Sequence, residues 1–182
     1  IELFNAMNHD ISQIIHLSTL KGEEETDSLE QLIDSQQKGV YSLSYLTRAL
    51  HHHQLDQEIK LVLLSNYGTE VDGTESVLRP ENASMFGFAK VLHKEQANIH
   101  CRAIDLDDHT SVDSLVKEIE AETDVFQVSY RHGVRYVEEF SEVDMEQVKA
   151  RNISIKVNGT YLITGGRGGI GLEISKYIAT QK

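Results

Sequence analysis

The sequence is poor in the residues that stabilise small secreted proteins and bind structural metals. It contains one cysteine, one proline and no tryptophan among 182 residues. A single cysteine cannot form an internal disulfide, and it cannot supply the ligands of a cysteine-rich zinc site. Glycine occurs at 12 positions, but one proline is too few for a low-complexity linker. These shortages exclude a disulfide scaffold, a zinc ribbon and a collagen-like polypeptide.

Long apolar runs and an excess of positive charge are also missing. No run of about 18 apolar residues occurs, so the sequence predicts no membrane span. The first residues lack the basic start and apolar stretch of a secretion signal, so we expect a cytoplasmic location. Lys and Arg number 17 against 29 Asp and Glu, a net charge of −12, which argues against nucleic-acid binding. Because the sequence begins without Met, we interpret it as a piece of a longer protein.

The periodicity of apolar residues predicts alternating strands and helices. Short apolar runs predict three strands, within Ile14–Leu20, Ile59–Ser65 and Ile99–Ile104. Helical spacing predicts helices that begin near Ser28, Val40, Glu81 and Ser111. With 40% apolar residues the chain can bury a core. This alternation is typical of an α/β fold with a parallel sheet and right-handed crossovers.

Beyond the third predicted strand the pattern changes. Val125–Tyr130 and Val134–Val137 flank Arg131-His132-Gly133 and predict a β-hairpin. The polar, acidic segment 138–151 follows and is the best candidate for a boundary. We therefore predict a truncated Rossmann-like parallel sheet with a hairpin over residues 1–158. The first strand–turn–helix of a second Rossmann unit follows over residues 159–182.

A glycine-rich loop near the end of the sequence carries the clearest chemical signal. It fits the frames Gly-x-Gly-x-x-Gly and Thr-Gly-x-x-x-Gly-x-Gly, and its residues are Thr164, Gly165, Gly166, Arg167, Gly168, Gly169, Ile170 and Gly171. The apolar run Thr160–Thr164 predicts a strand before it, and Leu172–Gln181 predicts a helix after it. One side of that helix carries Ile170, Ile174, Tyr177 and Ile178, and we expect this side, including Tyr177, to pack.

Each glycine of such a loop has a physical purpose. One permits the sharp turn out of the strand, another removes the Cβ that would block a pyrophosphate, and a third lets the helix approach the strand closely. The helix N-terminus then offers free N–H groups and a partial positive charge to phosphates. In this strand–turn–helix context the motif predicts a dinucleotide-binding loop.

Four other clusters have simpler interpretations. His51–His53 are adjacent on a helix, so their side chains point about 100° apart and cannot chelate one ion together. Cys101 lies within an apolar strand and is interpreted as an inert core thiol. Glu23–Glu25 is a solvated charge run, and Asp105–Asp108 is a strand-to-helix loop without the spacing of a calcium loop. We therefore predict no metal site.

The segment Thr160–Gly171 resembles the opening of the catalytic half of a modular polyketide synthase ketoreductase, a member of the short-chain dehydrogenase/reductase superfamily. Upstream stretches resemble the structural subdomain of this family, a truncated Rossmann-like unit without a cofactor site. These stretches are Leu61–Ser65, Arg79–Glu95, Ile104–Asp107 and Val128–Val137. Family members end the last of them with Pro-Arg-Leu, whereas this chain has Glu138-Glu139-Phe140. The resemblance covers the chain from about Leu43 onward.

The resemblance implies that the intact domain reduces a β-ketoacyl group on an acyl carrier protein with NADPH. Thr164–Gly171 would bind the cofactor, and neighbouring synthase domains would be further partners. In the family a Tyr donates the proton, a Ser polarises the carbonyl, and a Lys lowers the pKa of the Tyr. These residues come well after the glycine loop, and only 182 − 171 = 11 residues follow Gly171 here. We therefore assign no catalytic residue and expect the chain alone to be inactive.

Two other functions remain open at the level of sequence. The chain could be a non-catalytic structural or interaction module that orders neighbouring synthase domains, with a vestigial glycine loop. It could also be a stand-alone nicotinamide-dependent dehydrogenase with an N-terminal extension. A continuation without Ser, Tyr and Lys would favour the module. Carrier-protein or ketosynthase sequence on the same polypeptide would exclude the dehydrogenase.

Overall fold

The computed structural model describes residues 11–20, 26–52, 57–148 and 154–181. The chain divides into two compact units, unit 1 (Ile1–Glu139) and unit 2 (Phe140–Lys182). Unit 1 contains a five-stranded sheet with helices on both faces, and unit 2 contains the glycine loop and one helix. Across the described ranges, no helix is long and apolar enough to cross a membrane.

The strands of unit 1 follow one another both in sequence and in space. They are β1 (Gln13–Thr19), β2 (Ile59–Asn66), β3 (Ile99–Leu106), β4 (Gln127–Arg131) and β5 (Val134–Val137). The sheet has the order β1-β2-β3-β4-β5, in which the first four strands are parallel and β5 is antiparallel to β4. The central strand β2 is a nearly continuous apolar run because helices cover both of its faces. The predicted α/β class, parallel sheet and hairpin are confirmed.

Helices connect the parallel strands, and local capping sets where they begin. Helix α1 (Leu29–Gln36) begins with a capping box in which Ser28 and Gln31 each accept the other's backbone N–H. A π-helical turn over Gln37–Tyr41 joins it to α2 (Ser42–His52). The remaining elements are a 3₁₀ turn (Pro80–Asn82) that leads into α3 (Ala83–Glu95), α4 (Val112–Glu120) capped by Ser111, and α5 (Gly169–Thr180). The predicted helix starts are confirmed to within two residues.

Two apolar clusters lie on opposite faces of the sheet. On the α2/α3 face, buried side chains of both helices pack on alternate residues of the central strands, including Leu43, Leu50, Met85, Ala89, Leu61 and Cys101. On the α4 face, Leu115 and Ile119 pack on the other set of strand residues, which includes Val62, Leu64, Ile104, Val128 and Tyr130. Together the two clusters cover both faces of β2 and β3.

The side on which α4 packs corrects one prediction. Each connection moves to the next strand in the same direction, yet α2 and α3 lie on one face and α4 on the other. The crossover through α4 therefore has the opposite hand from the two before it, and the prediction of right-handed crossovers throughout is wrong. Leu115 and Ile119 of α4 are buried against the strand residues on that face, which include Val128 and Tyr130 of β4. Burial of these residues decides the hand of this short connection.

Candidate functional site

The glycine loop of unit 2 forms a tight turn followed by a helix. Gly165–Gly168 turns the chain, with the Gly168 N–H donating to the Gly165 carbonyl at 2.9 Å. Helix α5 begins at Gly169, three residues before the predicted start at Leu172. The prediction of a turn followed by a helix is therefore confirmed.

The strand expected before the loop is not formed. Thr160–Ile163 is irregular and Thr164 already belongs to the turn. A strand needs a neighbour for its backbone hydrogen bonds, and no strand pairs with this run anywhere in the described ranges. The strand prediction for Thr160–Thr164 is wrong in this structure, because an apolar sequence supplies propensity but not a partner.

Two glycines of the loop are required by the geometry of the loop itself. Gly165 has a φ of +73°, a backbone conformation that side chains disfavour. A Cβ on Gly171 would lie 2.4 Å from the Gly165 carbonyl oxygen, so the first turn of α5 can only pack on the loop at a glycine. These positions fit the first and third purposes of the motif, the sharp turn and the close approach of the helix.

A third glycine is not explained by the chain's own packing. A Cβ on Gly169 would meet no atom within 4 Å, and the backbone there has no positive φ. This space lies beside the first residue of α5. Because the N-cap Gly168 has no side chain, no side chain caps the first N–H groups of the helix. An uncapped helix N-terminus of this kind offers its first N–H groups to an acceptor outside the helix.

The charge around the loop has the sign that phosphates need. Residues 154–181 carry three basic side chains and one acidic one, although the whole chain has a net charge of −12. Arg167 is exposed within the turn and forms no ion pair or hydrogen bond with any residue that the structure describes. Lys176, in contrast, is paired with Glu173 at 2.6 Å. Arg167 is therefore a cation available to a ligand at the loop.

The helix that follows the loop exposes the side that was expected to pack. Tyr177 is 60% exposed and Ile170 81% exposed, and α5 has no buried residue. The prediction that Tyr177 lies in a packing face is therefore wrong for this chain. Unit 2 provides no surface that covers α5 within its described residues.

At the carboxyl edge of the unit 1 sheet, where open α/β folds usually bind ligands, the space beside the ends of β3 and β4 is filled. The buried side chain of Arg131, which is 1% exposed, occupies this space. Its guanidinium contacts Asp105 at 2.7 Å and Glu75 at 3.1 Å, and it donates to the Thr69 carbonyl at 2.7 Å. The edge is thus occupied by a buried ion-pair network.

The same network holds the loop between β2 and α3 over the edge of the sheet. Asp105 accepts the N–H of Gly68 at 2.8 Å and that of Thr69 at 3.2 Å, and Glu75 accepts the N–H of Val71 at 2.7 Å. Burial raises the pKa of Glu75, but backbone N–H donors and Arg131 outweigh it and lower that pKa to about 2. The Glu75 carboxylate is therefore charged, and the hydrogen bonds of both carboxylates are committed to structure. The sequence predicts Asp105 at the start of a strand-to-helix loop, whereas β3 includes it and ends at Leu106. Nothing in the sequence indicates its partner Arg131, 26 residues later.

The remaining candidates of the sequence carry no chemistry in the described residues. Burial raises the pKa of the Cys101 thiol to about 12, which confirms an inert core thiol. His51 and His52 end α2 at the surface, whereas His53 and Glu23–Glu25 lie outside the described residues. Asp107 caps the β3–α4 loop by accepting the N–H groups of His109 and His132. Within the described ranges, no group of three or more His, Cys, Asp or Glu side chains could hold a metal ion.

Comparison with known proteins gives matches to one family and to synthase chains. Residues 1–122 match the family described as Beta-ketoacyl synthase-like, N-terminal. Over 85 residues, 44% of this chain, the sequence is 36% identical to polyketide synthase PksN of Bacillus subtilis (strain 168). That stretch is only 2% of the length of PksN.

Two solved structures share the fold. One is an adenylation, ketoreductase and pseudo-Asub multidomain structure of a keto acid-selecting NRPS module, with a TM-score of 0.84 and 24% identity. The other is an N-terminal ketoreductase from the macrolactin assembly line, with a TM-score of 0.68 and 21% identity. The matches cover 97% and 99% of this chain but only 15% and 35% of the solved chains. The resemblance drawn from the sequence is confirmed at the level of the fold.

Proposed function

The chain belongs to the Beta-ketoacyl synthase-like, N-terminal family, and on this premise we propose that it is part of the ketoreductase of a modular polyketide synthase. The complete enzyme would reduce a β-ketoacyl group on an acyl carrier protein with NADPH, in the cytoplasm. Residues 1–158 would form its structural subdomain and residues 159–182 the start of its catalytic subdomain. The fold shared with chains that contain ketoreductases and the local identity with PksN support the proposal.

The observation that carries the proposal is the open space at Gly169. The loop itself needs glycine at 165 and 171, but nothing in the chain explains a glycine at 169. A diphosphate that approaches the backbone does explain it, since a Cβ there would fill the space. The residues present therefore fit NADPH, which when bound supplies the hydride of a reduction.

The chain's own residues would bind and orient the cofactor. The backbone of Thr164–Gly169 and the first N–H groups of α5, at Ile170 and Gly171, would hold the pyrophosphate. Arg167 would add a positive charge next to it, and its lack of a carboxylate partner among the described residues supports this. The catalytic Ser, Tyr and Lys that the resemblance implies have no counterpart in this chain. Its role is therefore to bind and support, not to transfer the proton.

The family description also names a β-ketoacyl synthase, and a condensing activity is a second candidate. Condensation by a thiol needs a reactive thiolate, which requires a lowered pKa and access to substrate. Cys101 is the only cysteine of the chain, it is 3% exposed, and its thiol pKa is raised to about 12. We therefore favour the ketoreductase over a condensing role for this chain.

A pair of glycine substitutions in the ketoreductase of the complete synthase tests the proposal. Gly169→Ala adds a Cβ where the chain has space, so we expect an unchanged melting temperature and NADPH binding at least about tenfold weaker. Gly171→Ala places its Cβ against the Gly165 carbonyl, so both the melting temperature and NADPH binding should fall. The intrinsic fluorescence of NADPH measures its binding, and differential scanning calorimetry measures the melting temperature.

Gly87→Ala in unit 1 is the matched control, since its Cβ also meets open space but lies far along the chain from the loop. It should leave NADPH binding unchanged. If Gly169→Ala binds NADPH as tightly as the unsubstituted enzyme, the loop is not the cofactor site. The 182-residue chain alone should not oxidise NADPH with a β-ketothioester, and turnover by it would contradict the assignment of catalysis to other residues.

A further inference from the structure

The sequence contains a single Asn-Gly pair, at Asn158-Gly159, shortly before the glycine loop that begins at Thr164. An asparagine side chain can lose its amide when the main-chain nitrogen of the next residue attacks it. Glycine in the next position favours this reaction, because it has no side chain to hinder the approach. Whether the pair reacts in a folded protein depends on its exposure and on its hydrogen bonds.

The structure leaves the side chain of Asn158 open to reaction. Both residues of the pair are exposed. The backbone of Asn158 has a φ of +56°, in the left-handed region that asparagine tolerates at turns. Its side-chain amide forms no hydrogen bond with any residue that the structure describes. The amide carbon is therefore at the surface and is not held away from the main chain by another residue.

The other asparagines of the described ranges are protected. Asn66 is 7% exposed and Asn82 is 1% exposed. Asn98 is partly buried, and its side-chain amide donates to the Gln57 carbonyl at 3.3 Å. Each of the three is also followed by a residue with a side chain. Among the described asparagines, exposure and a following glycine therefore coincide at Asn158.

The related pair Asp72-Gly73 is also exposed, but its side chain is held. Asp72 accepts the N–H of Thr74 at 3.0 Å and the Thr74 hydroxyl at 2.6 Å. These hydrogen bonds lower the pKa of Asp72, and an ionised carboxylate resists attack by a nitrogen nucleophile. The N–H of Gly73 is engaged as well, with Glu75 at 3.1 Å. We therefore expect Asp72 to react far less than Asn158.

A small exposed turn controls access to the attacking nitrogen. The Gly159 N–H donates to the Lys156 carbonyl at 3.0 Å, and the Lys156 N–H donates to the Tyr161 hydroxyl at 2.6 Å. The Gly159 nitrogen must leave its bond before it reacts, and exposed hydrogen bonds of short loops open at low free energy. A Cβ at position 159 would lie 2.8 Å from the Tyr161 ring, so the turn itself requires the glycine that permits the reaction.

We propose that Asn158 is a site of spontaneous deamidation and isoaspartate formation in the segment that leads into the glycine loop. The Gly159 nitrogen forms a bond to Cγ of Asn158, the Cγ–Nδ2 bond breaks, and the proton of the Gly159 N–H leaves with Nδ2 as ammonia. Water then opens the cyclic imide at either carbonyl and gives aspartate or isoaspartate, with no oxidation or reduction. Both products add a negative charge, and isoaspartate also lengthens the main chain within the turn that Gly159 closes.

Peptide mapping of the full-length protein after incubation at neutral pH tests the inference. Trypsin cleaves after Lys156 and Arg167, so it separates Asn158 from every other asparagine of the chain. Mass spectrometry measures conversion of the amide to an acid, and an isoaspartyl methyltransferase with labelled S-adenosylmethionine measures isoaspartate. We expect conversion at Asn158 to be at least about tenfold faster than at Asn98. A sample digested without incubation corrects for conversion during digestion.

Two variants separate the chemistry of the side chain from the opening of the turn. Asn158→Gln keeps the amide but disfavours the five-membered imide, so it should abolish the isoaspartate signal of this peptide. Tyr161→Phe removes the acceptor of the Lys156 N–H and should speed conversion at Asn158 at least about twofold, because the turn opens more often. Conversion at Asn158 no faster than at Asn98 would overturn the site, and an unchanged rate in Tyr161→Phe would overturn control by the turn. Neither result depends on NADPH binding or on reduction.

Discussion

At the scale of single residues, the buried charges of unit 1 act as structure. Arg131 fills the edge of the sheet where related folds leave a crevice, and its partners Asp105 and Glu75 are 0% and 2% exposed. A buried ion pair adds little net stability over an apolar replacement of both partners, but removing one partner leaves an uncompensated charge. The network therefore makes the fold depend on one side chain.

Substitution of that side chain should be costly. Arg131→Met leaves the Asp105 and Glu75 carboxylates without their cation, so we expect the free energy of unfolding to fall by about 3–5 kcal/mol. Urea denaturation followed by circular dichroism measures it. Lys38→Met, which breaks the exposed pair with Asp34, should cost less than about 1 kcal/mol. Equal effects of the two substitutions would show that Arg131 is not a structural anchor.

At the scale of elements, turns are set by the residues that tolerate positive φ. The hairpin between β4 and β5 turns at His132 and Gly133, with φ values of +52° and +75°. Two such residues make the tight turn whose twist suits a hairpin. Gly87 in α3 is a different case, because it lies exposed inside a helix, where glycine has no conformational advantage.

Substitution by alanine should change the stability of unit 1 in opposite directions at Gly133 and at Gly87. A Cβ meets open space at both, so only the backbone decides. Gly133→Ala forces an L side chain into the left-handed region and should destabilise unit 1 by about 1–2 kcal/mol. Gly87→Ala should stabilise it by about 0.5–1 kcal/mol, through helix propensity. Urea midpoints of the two variants measure both effects, and a loss of stability in Gly87→Ala would contradict this account.

At the scale of the whole molecule, one acidic group on α4 and one at the carboxyl edge of the sheet link stability to pH. The hydrogen bond from Arg135 is the main factor that lowers the pKa of Glu118 to about 2. Burial raises this pKa, but Tyr130 and Arg102 also lower it and the lowering prevails. Glu75 has a pKa of about 2 on the carboxyl edge. Both values lie below the ordinary 4.5, so the folded state holds these carboxylates charged where the unfolded state takes up protons.

The sign of the pH dependence follows directly. The stabilisation by Glu75 and Glu118 is complete above pH 4.5, where both carboxylates are ionised in the folded and in the unfolded state. It is lost as the pH falls from about 4.5 to about 2. Urea midpoints between pH 7 and pH 2 should decrease in that window. Glu118→Gln should lower the midpoint at pH 7 and flatten the decrease, whereas Glu173→Gln, at an exposed pair, should do neither. A midpoint that is constant between pH 4.5 and 2 would contradict the assignment.

Much of the fold could be predicted because its signals are local. A continuous apolar run identifies β2, Ser28 and Ser111 identify two helix starts, and His132-Gly133 identifies the hairpin. Hydrophobic periodicity and capping depend on neighbours within about four residues, so the sequence displays them directly. The glycine loop belongs to the same group, since turn and helix are encoded within eight residues.

Long-range features could not be obtained in this way. The pairing of Arg131 with Asp105 and Glu75 joins residues 26 and 56 positions apart. The hand of the α4 crossover depends on which sheet face offers apolar partners to Leu115 and Ile119. The run Thr160–Thr164 has a strand's composition but no pairing partner among the described residues. In each case the outcome depends on what lies opposite in space, which one segment does not specify.

The sequence by itself therefore determined the alternation of strands and helices, the hairpin turn and a glycine loop suited to phosphate. These follow from backbone preferences and apolar spacing that act within a few residues. The tertiary structure alone decided that the edge of the sheet is closed by a buried guanidinium and that space remains at Gly169. It also decided that Tyr45 and Arg48 of α2 lie at the surface. The physical reason is that burial and charge pairing depend on which distant side chains are brought within a few ångströms of each other.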